Sequence, residues 1–266
     1  IGLHFFSPVD KMPLVEIIMG AETSPETLAR GFDYVQQIKK TPIVVNDSRG
    51  FYTSRSFATY VMEGAALLLE GQHPRAIEMA GLKAGMPVGP LALQDEVSLS
   101  LSHHVLTQTR KDFAAEGKTM PEHPANAVIE KMVTTLNRPG KKAKAGYYDY
   151  PDVGEKHLWP GLAKEFPLAK MQLTQDEMIE RLMFVQANEA AKCFEENVVM
   201  TVADTNIGSI FGWGFAPHQG GALQFINAVG VAEFVKRSEA LAAKYGARFA
   251  PAALLKKMAA EGKRFE

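Results

Sequence analysis

The chain has 266 residues, enough for two compact domains, and its 46% hydrophobic and 22% charged residues are ordinary for a globular protein. Lys+Arg 29 against Asp+Glu 30 leaves a formal net charge of −1, a balance that argues for neither the basic footprint of a nucleic-acid binder nor an acidic tail. A single cysteine, Cys193, rules out an internal disulfide and a cysteine metal cluster and fits a reducing compartment. No apolar run reaches the ~18 residues of a membrane span. The chain starts with Ile inside a strand-like run, which reads as a cut rather than a natural beginning.

Two short apolar segments open the chain, LHFF with His4 and LVEII with Glu16, separated by the turn-forming SPVDKMP. Their β-branched and aromatic residues predict two strands. Alternation puts Leu14, Glu16 and Ile18 on one face and Val15, Ile17 and Met19 on the other. A carboxylate among aliphatics is costly unless paired, and the imidazole of the neighbouring strand is the nearest partner. Such a pair is a general base with its orienting group. The alternative is an exposed edge for Glu16 and an ordinary strand position for His4. Ser24, Pro25 and Glu26 then start a helix with Leu28, Phe32, Val35 and Ile38 at helical spacing, and TPIVVND follows as a short strand.

From Gly50 onward the pattern is helical. FYTSRSFATYVMEGAALLLEG, HPRAIEMAGLKAG, GPLALQDEVSLSLSHHVLTQTRKDF and NAVIEKMVTTLN predict four helices, followed by the basic loop GKKAKAG and the aromatic run YYDY. An internal repeat organises the region. Arg55, Glu63, Ala65, Leu68 and Glu70 fall over Arg181, Glu189, Ala191, Phe194 and Glu196 at an offset of 126, and Gly85 and Pro90 over Gly212 and Pro217 at 127. The expected division is therefore 1–47, an α/β segment; 48–150, a first helical unit; 151–174, a Pro- and Gly-containing connector; and 175–266, a second helical unit. Glu63 and Glu189 read as structural, in buried pairs with Arg55 or Arg181.

The runs GLHFFSPVDKMPLVEII, DSRGFYTSR, GMPVGPLALQDEV and GKKAKAGYYDY closely resemble the 3-hydroxyacyl-CoA dehydrogenase family, in which a histidine is followed twelve positions later by its glutamate, as Glu16 follows His4. The resemblance implies a mainly α fold, duplicated helical dehydrogenase C-terminal units (6-phosphogluconate dehydrogenase C-terminal-like), preceded by a remnant of a Rossmann-type α/β sheet. It is similar to multifunctional fatty-acid-oxidation enzymes, which resemble a dimer fused into one chain. His4 is then the base for the 3-hydroxyl proton, Glu16 its orienting partner, and Ser54 a substrate contact where many members have asparagine. A serine at a helix start also serves as a cap, so Ser54 has two readings.

The implied reaction is NAD-dependent oxidation of 3-hydroxyacyl-CoA to 3-oxoacyl-CoA. A phosphate-cradling GxGxxG is not found in the chain. The nearest run, GWGFAP from Gly212 to Pro217, reads as an inter-helix turn, so no NAD-contacting residue is assigned and the chain alone is expected to be inactive or nearly so. Lys141, Lys142 and Lys144 form a basic cluster that could meet CoA phosphates or simply be solvated. The histidines show no metal-ligand spacing, and no metal site is expected. A second reading makes the helical units an assembly module that docks further domains or a thiolase subunit. A third, a 6-phosphogluconate-type dehydrogenase, is opposed by the His–Glu spacing.

Overall fold

A computed structural model describes residues 1–266. In chain order the elements are β1 (Gly2–Phe5), β2 (Leu14–Met19), α1 (Pro25–Gln37), β3 (Thr41–Asn46), α2 (Thr53–Leu69), α3 (Pro74–Lys83), α4 (Pro90–Val97), α5 (Leu99–Ala115) and α6 (Ala125–Glu130). There follow β4 (Tyr148–Asp149), β5 (His157–Leu158), α7 (Leu162–Glu165), α8 (Gln175–Glu195), α9 (Val202–Trp213), α10 (Ala222–Val229), α11 (Val231–Tyr245) and α12 (Ala253–Glu261). The fold is mainly α, with a three-stranded sheet at the start. The chain forms two compact units, residues 1–59 with 183–266, and residues 60–182. Their breaks fall inside α2 and α8, so each unit draws on both sequence repeats.

In the first unit the strand order is β1-β2-β3, with β1 antiparallel and β3 parallel to the central β2. The β2–α1–β3 crossover starts where Ser24 Oγ accepts the Thr27 N–H, the cap expected from its position before Pro25. α1 lays Val35 against Val15 and Ile17, with Leu28 and Phe32 beside them. Full burial of each such side chain contributes roughly 1.5–3 kcal/mol. On the opposite face Leu14 lies close to Gly212 of α9, and Gly208 lets Ile43 and Tyr52 approach the same helix. Both faces of β2 are therefore covered, and Glu16 is completely buried. A separate core of Phe184, Leu223, Ile226, Phe234, Phe249 and Leu255 joins the second half of α8 to α10, α11 and α12.

In the second unit the helix expected from Pro90 to Phe113 is broken at Ser98, whose φ is +94°. The Ser100 N–H reaches the Pro139 carbonyl at 3.1 Å, and this bond outside the helix compensates the interruption. Two buried carboxylates hold the region together. Glu78 accepts the Leu91 N–H at the start of α4 at 2.7 Å and the Tyr148 hydroxyl at 2.8 Å. Asp95 accepts the Tyr147 and Tyr148 N–H groups, each at 2.9 Å, and the Tyr150 hydroxyl at 3.0 Å. Burial raises both carboxyls above their ordinary range, Asp95 to about 6, and the hydrogen bonds only partly offset it. The connector is ordered: the Leu173 N–H donates to Gln72 at 2.7 Å, and Gln172 donates to the Gly71 carbonyl at 2.9 Å.

The repeat is visible in the side chains. Arg181, fully buried, donates to Glu63 at 2.8 and 2.5 Å and to Glu70 at 2.5 and 2.8 Å. Its counterpart Arg55 binds Glu189 and donates to Glu196 at 2.5 and 2.9 Å. Hydrogen bonding to Glu196 raises the Arg55 pKa, and at Arg181 the opposing effect of burial is outweighed by Glu70 and Glu63. One alignment shifts. Asn206 accepts the Leu223 N–H at 3.0 Å and lies against Gly221, just as Glu78 accepts the Leu91 N–H and lies against Gly89. The counterpart of Pro90 is thus Ala222, five positions beyond Pro217, because the second repeat inserts a short turn at Pro217–Gln219.

Candidate active site

His4 and Glu16 occupy facing positions of β1 and β2. In an antiparallel pair such residues point to the same face. The imidazole Nδ1 lies 2.6 Å from Glu16 Oε2. An ionised carboxylate can only accept, so Nδ1 carries the proton and Nε2 is left as the basic nitrogen. The His4 side chain keeps 29% of its surface exposed, whereas Glu16 has none.

What satisfies the buried carboxylate is the segment that starts α2. Glu16 Oε1 accepts the N–H groups of Tyr52 at 3.2 Å and Thr53 at 2.9 Å, and Oε2 accepts the Thr53 hydroxyl at 2.8 Å. With His4 this makes four donors, enough to fill the acceptor sites of a carboxylate. Thr53 was not expected from sequence. The only hint in the sequence is a hydroxyl residue two positions after the Gly50-Phe51 turn, beside Ser54. Tyr52 is anchored by its hydroxyl, which donates to the Thr205 carbonyl at 2.7 Å, and its ring meets Trp213 edge-on at 5.4 Å. Burial keeps its phenol far above the ordinary pKa, so it stays protonated.

Ser54 stands in the first turn of α2, exposed to solvent. It is thus next to Thr53 but not part of the carboxylate's donor set. Of the basic cluster, Lys144 pairs with Asp152 and Lys141 lies 3.4 Å from Glu96, while Lys142 is exposed. Neutralised lysines are weaker candidates for binding phosphate.

The residues present do not fit a dinucleotide. At the strand-to-helix turn before α1 the Gly20 N–H donates to Thr23 Oγ1 at 3.0 Å and the Thr27 N–H to Ser24 Oγ at 3.2 Å, and at the turn before α2 the Tyr52 and Thr53 N–H groups are taken by Glu16. Glu26 in the first turn of α1 adds negative charge where a pyrophosphate would have to sit. In GWGFAP, Gly212 is inside α9 and Gly214 closes its C-terminus in a left-handed conformation. That is the negative end of the helix dipole and repels phosphate.

A histidine held by a buried carboxylate, with its second ring nitrogen free on a partly exposed ring, can act as a general base. Residues 1–48 match the model of the 3-hydroxyacyl-CoA dehydrogenase NAD binding domain, and residues 50–150 that of the 3-hydroxyacyl-CoA dehydrogenase C-terminal domain. The chain belongs to the 3-hydroxyacyl-CoA dehydrogenase family, NAD-dependent oxidoreductases. It is 40% identical over 277 residues to the fatty acid oxidation complex subunit alpha of Shewanella amazonensis, an alignment covering 100% of this chain and 37% of that protein. Among solved structures, 3-hydroxybutyryl-CoA dehydrogenase from Escherichia coli K12 superposes with a TM-score of 0.76 at 21% identity, covering 98% of this chain and 70% of that one. The dehydrogenase part of multifunctional enzyme 1 from C. elegans does so with a TM-score of 0.66 at 24% identity, covering 96% and 58%. At these identities the two structures show a shared fold.

Proposed function

We propose that the chain supplies the proton-transfer half of a reaction that oxidises (3S)-3-hydroxyacyl-CoA to 3-oxoacyl-CoA with NAD in fatty acid β-oxidation. The observation that carries this reading is the His4–Glu16 bond, with Nδ1 protonated and Nε2 free on a partly exposed ring. His4 Nε2 takes the proton of the 3-hydroxyl as the C3–H bond breaks, and Glu16 steadies the imidazolium that results. Ser54, exposed in the first turn of α2, is the proposed hydrogen-bond donor to substrate.

In this reading the nicotinamide that accepts the hydride is held by a companion dinucleotide-binding segment. Proton transfer without it gives no net oxidation, so the 266 residues alone are expected to be silent. The test is NADH formation from 3-hydroxybutyryl-CoA and from a long-chain 3-hydroxyacyl-CoA, by the chain alone and with a companion dinucleotide-binding segment. His4→Gln is the control. Turnover that needs the companion and His4 supports the proposal. Turnover by the chain alone shows that a nicotinamide site exists in these residues, and turnover by His4→Gln removes His4 as the base.

A docking role within a multienzyme complex, with a thiolase subunit as partner and a bacterial cytoplasm as setting, is the second reading. It is favoured by Leu101 and Val105, one turn apart on α5 and each about half exposed. The name of the Shewanella relative, a subunit of a fatty acid oxidation complex, points the same way.

A further inference from the structure

Phe51 has a backbone that its side chain disfavours. Its φ is +48°, and Gly50 before it stands at +78°. Glycine enters this left-handed region freely, whereas a bulky aromatic rarely does, and such residues persist where the surrounding structure holds them. The two residues close a turn in which the Phe51 N–H donates to the Ser48 carbonyl at 3.0 Å and the Arg55 N–H to the Gly50 carbonyl at 3.1 Å. Out of that turn come the consecutive N–H groups of Tyr52 and Thr53, both aimed at Glu16 Oε1. Successive amides converging on one point form a fixed seat for an anion. The Phe51 ring lies 5.8 Å from the imidazole of His4, tilted by 50°, and Phe6 lies at 4.6 Å, tilted by 43°.

We infer that Phe51 is the positioning residue of the His4–Glu16 pair: its left-handed backbone aims the two amides that seat Glu16, and its ring, with Phe6, confines His4 to the orientation in which Nδ1 meets that carboxylate. A turn alone would be served by glycine at position 51 with less strain. An aromatic at this φ makes sense when the ring has work to do, and the imidazole is what it touches. One residue thereby couples the carboxylate's position to that of the base. The functional consequence rests on His4 being the base, but the geometry does not.

The test compares the native chain with Phe51→Gly and Phe51→Leu by nitrogen–proton NMR of the His4 ring. The native Nδ1 proton, held by Glu16, is expected at low field and slow to exchange with water. Phe51→Gly keeps the backbone and deletes the ring, so the exchange should speed about ten-fold, the scale of one tilted aromatic contact. Phe51→Leu, which refills the space, should recover part of the protection. Native exchange in Phe51→Gly overturns the inference. If that variant does not fold, Phe51→Leu decides: exchange faster than native supports it and native exchange overturns it. In the assay with a companion segment, Phe51→Gly should lower kcat about ten-fold with KM unchanged. A changed proton signal with undiminished turnover keeps the positioning role and removes His4 as the base.

Discussion

Replacing Glu16 by glutamine exchanges one carboxylate oxygen for an NH2 group and tests the base together with its orienting group. Glu16 Oε1 faces two amide donors, Tyr52 and Thr53, while Oε2 faces His4 Nδ1 and the Thr53 hydroxyl. Backbone amides cannot reverse, so the glutamine carbonyl stays with them and its NH2 turns to the other corner. There the hydroxyl can rotate and accept. The imidazole must accept as well, which moves its proton from Nδ1 to Nε2 and blocks the nitrogen that takes the substrate proton. Hydrogen bonds to a charged group contribute about 1.5–3 kcal/mol each and neutral ones about 0.5–1.5, so the fold should survive a loss of about 1–3 kcal/mol. The rate should not survive: holding the wrong tautomer costs on the order of 10⁴ in kcat where a serine-protease triad aspartate is changed to asparagine. Imidazole NMR of this chain reads the tautomer, and NADH formation with a companion segment reads the rate. A Glu16→Gln chain that keeps its proton on Nδ1, or that turns over within about ten-fold of the native rate, refutes the reasoning.

The two arginines of the repeat should differ in weight. Arg181→Met strands the fully buried Glu63 and should cost about 3–5 kcal/mol in urea unfolding. Arg55→Met, whose partners Glu189 and Glu196 are 17% and 50% exposed, should cost about 1 kcal/mol. Equal losses would contradict this, and adding Glu63→Met to Arg181→Met should recover most of the larger one. Asp95 should make stability fall with rising pH. Burial lifts its folded pKa to about 6, above that of the unfolded chain, so the folded state binds its proton more tightly. This contribution is fully present below about pH 4 and is lost as the pH rises through about 6. Asp95→Asn should flatten that part of the stability profile, and a variant with the native slope would show that the group does not titrate there.

Alternation placed Glu16 among aliphatics and in need of a partner, but it fixes a face and not a register. It was the resemblance, with its twelve-residue spacing, that singled out His4; the structure sets the two at facing positions. The other donors to Glu16 were not legible. Thr53 lies thirty-seven positions away, and its approach depends on the left-handed turn at Gly50 and Phe51, which no hydrophobic period announces. The break at Ser98 was hidden for the opposite reason: SLSLS carries neither glycine nor proline and reads as a continuous helix, while the carbonyl that takes up the Ser100 N–H there comes from Pro139. Pro217 misled the alignment because it is a proline at nearly the right distance, whereas the position that counts is the glycine packed against the capping side chain, Gly89 in one repeat and Gly221 in the other.

The arginine pairs explain why the compact units do not follow the repeats. Arg55 and Arg181 hold equivalent places, as do Glu63 with Glu189 and Glu70 with Glu196, yet the bonds cross: the arginine of the first repeat grips the glutamates of the second, and that of the second grips those of the first. Reciprocal contacts of this kind are the mark of a self-complementary surface. Removing either repeat would take away the guanidinium that faces a buried or half-buried carboxylate in the other, at a cost of several kcal/mol for Glu63. The compact units accordingly break within α2 and α8, the helices that carry these arginines, and each unit keeps one crossed pair whole. The site does not share the repetition. At the same offset Thr53 and Ser54 correspond to Ile179 and Glu180, so the second repeat has no hydroxyl there for a carboxylate or a substrate. Duplication retained the framework of crossed pairs in both repeats and the donor set of Glu16 in one.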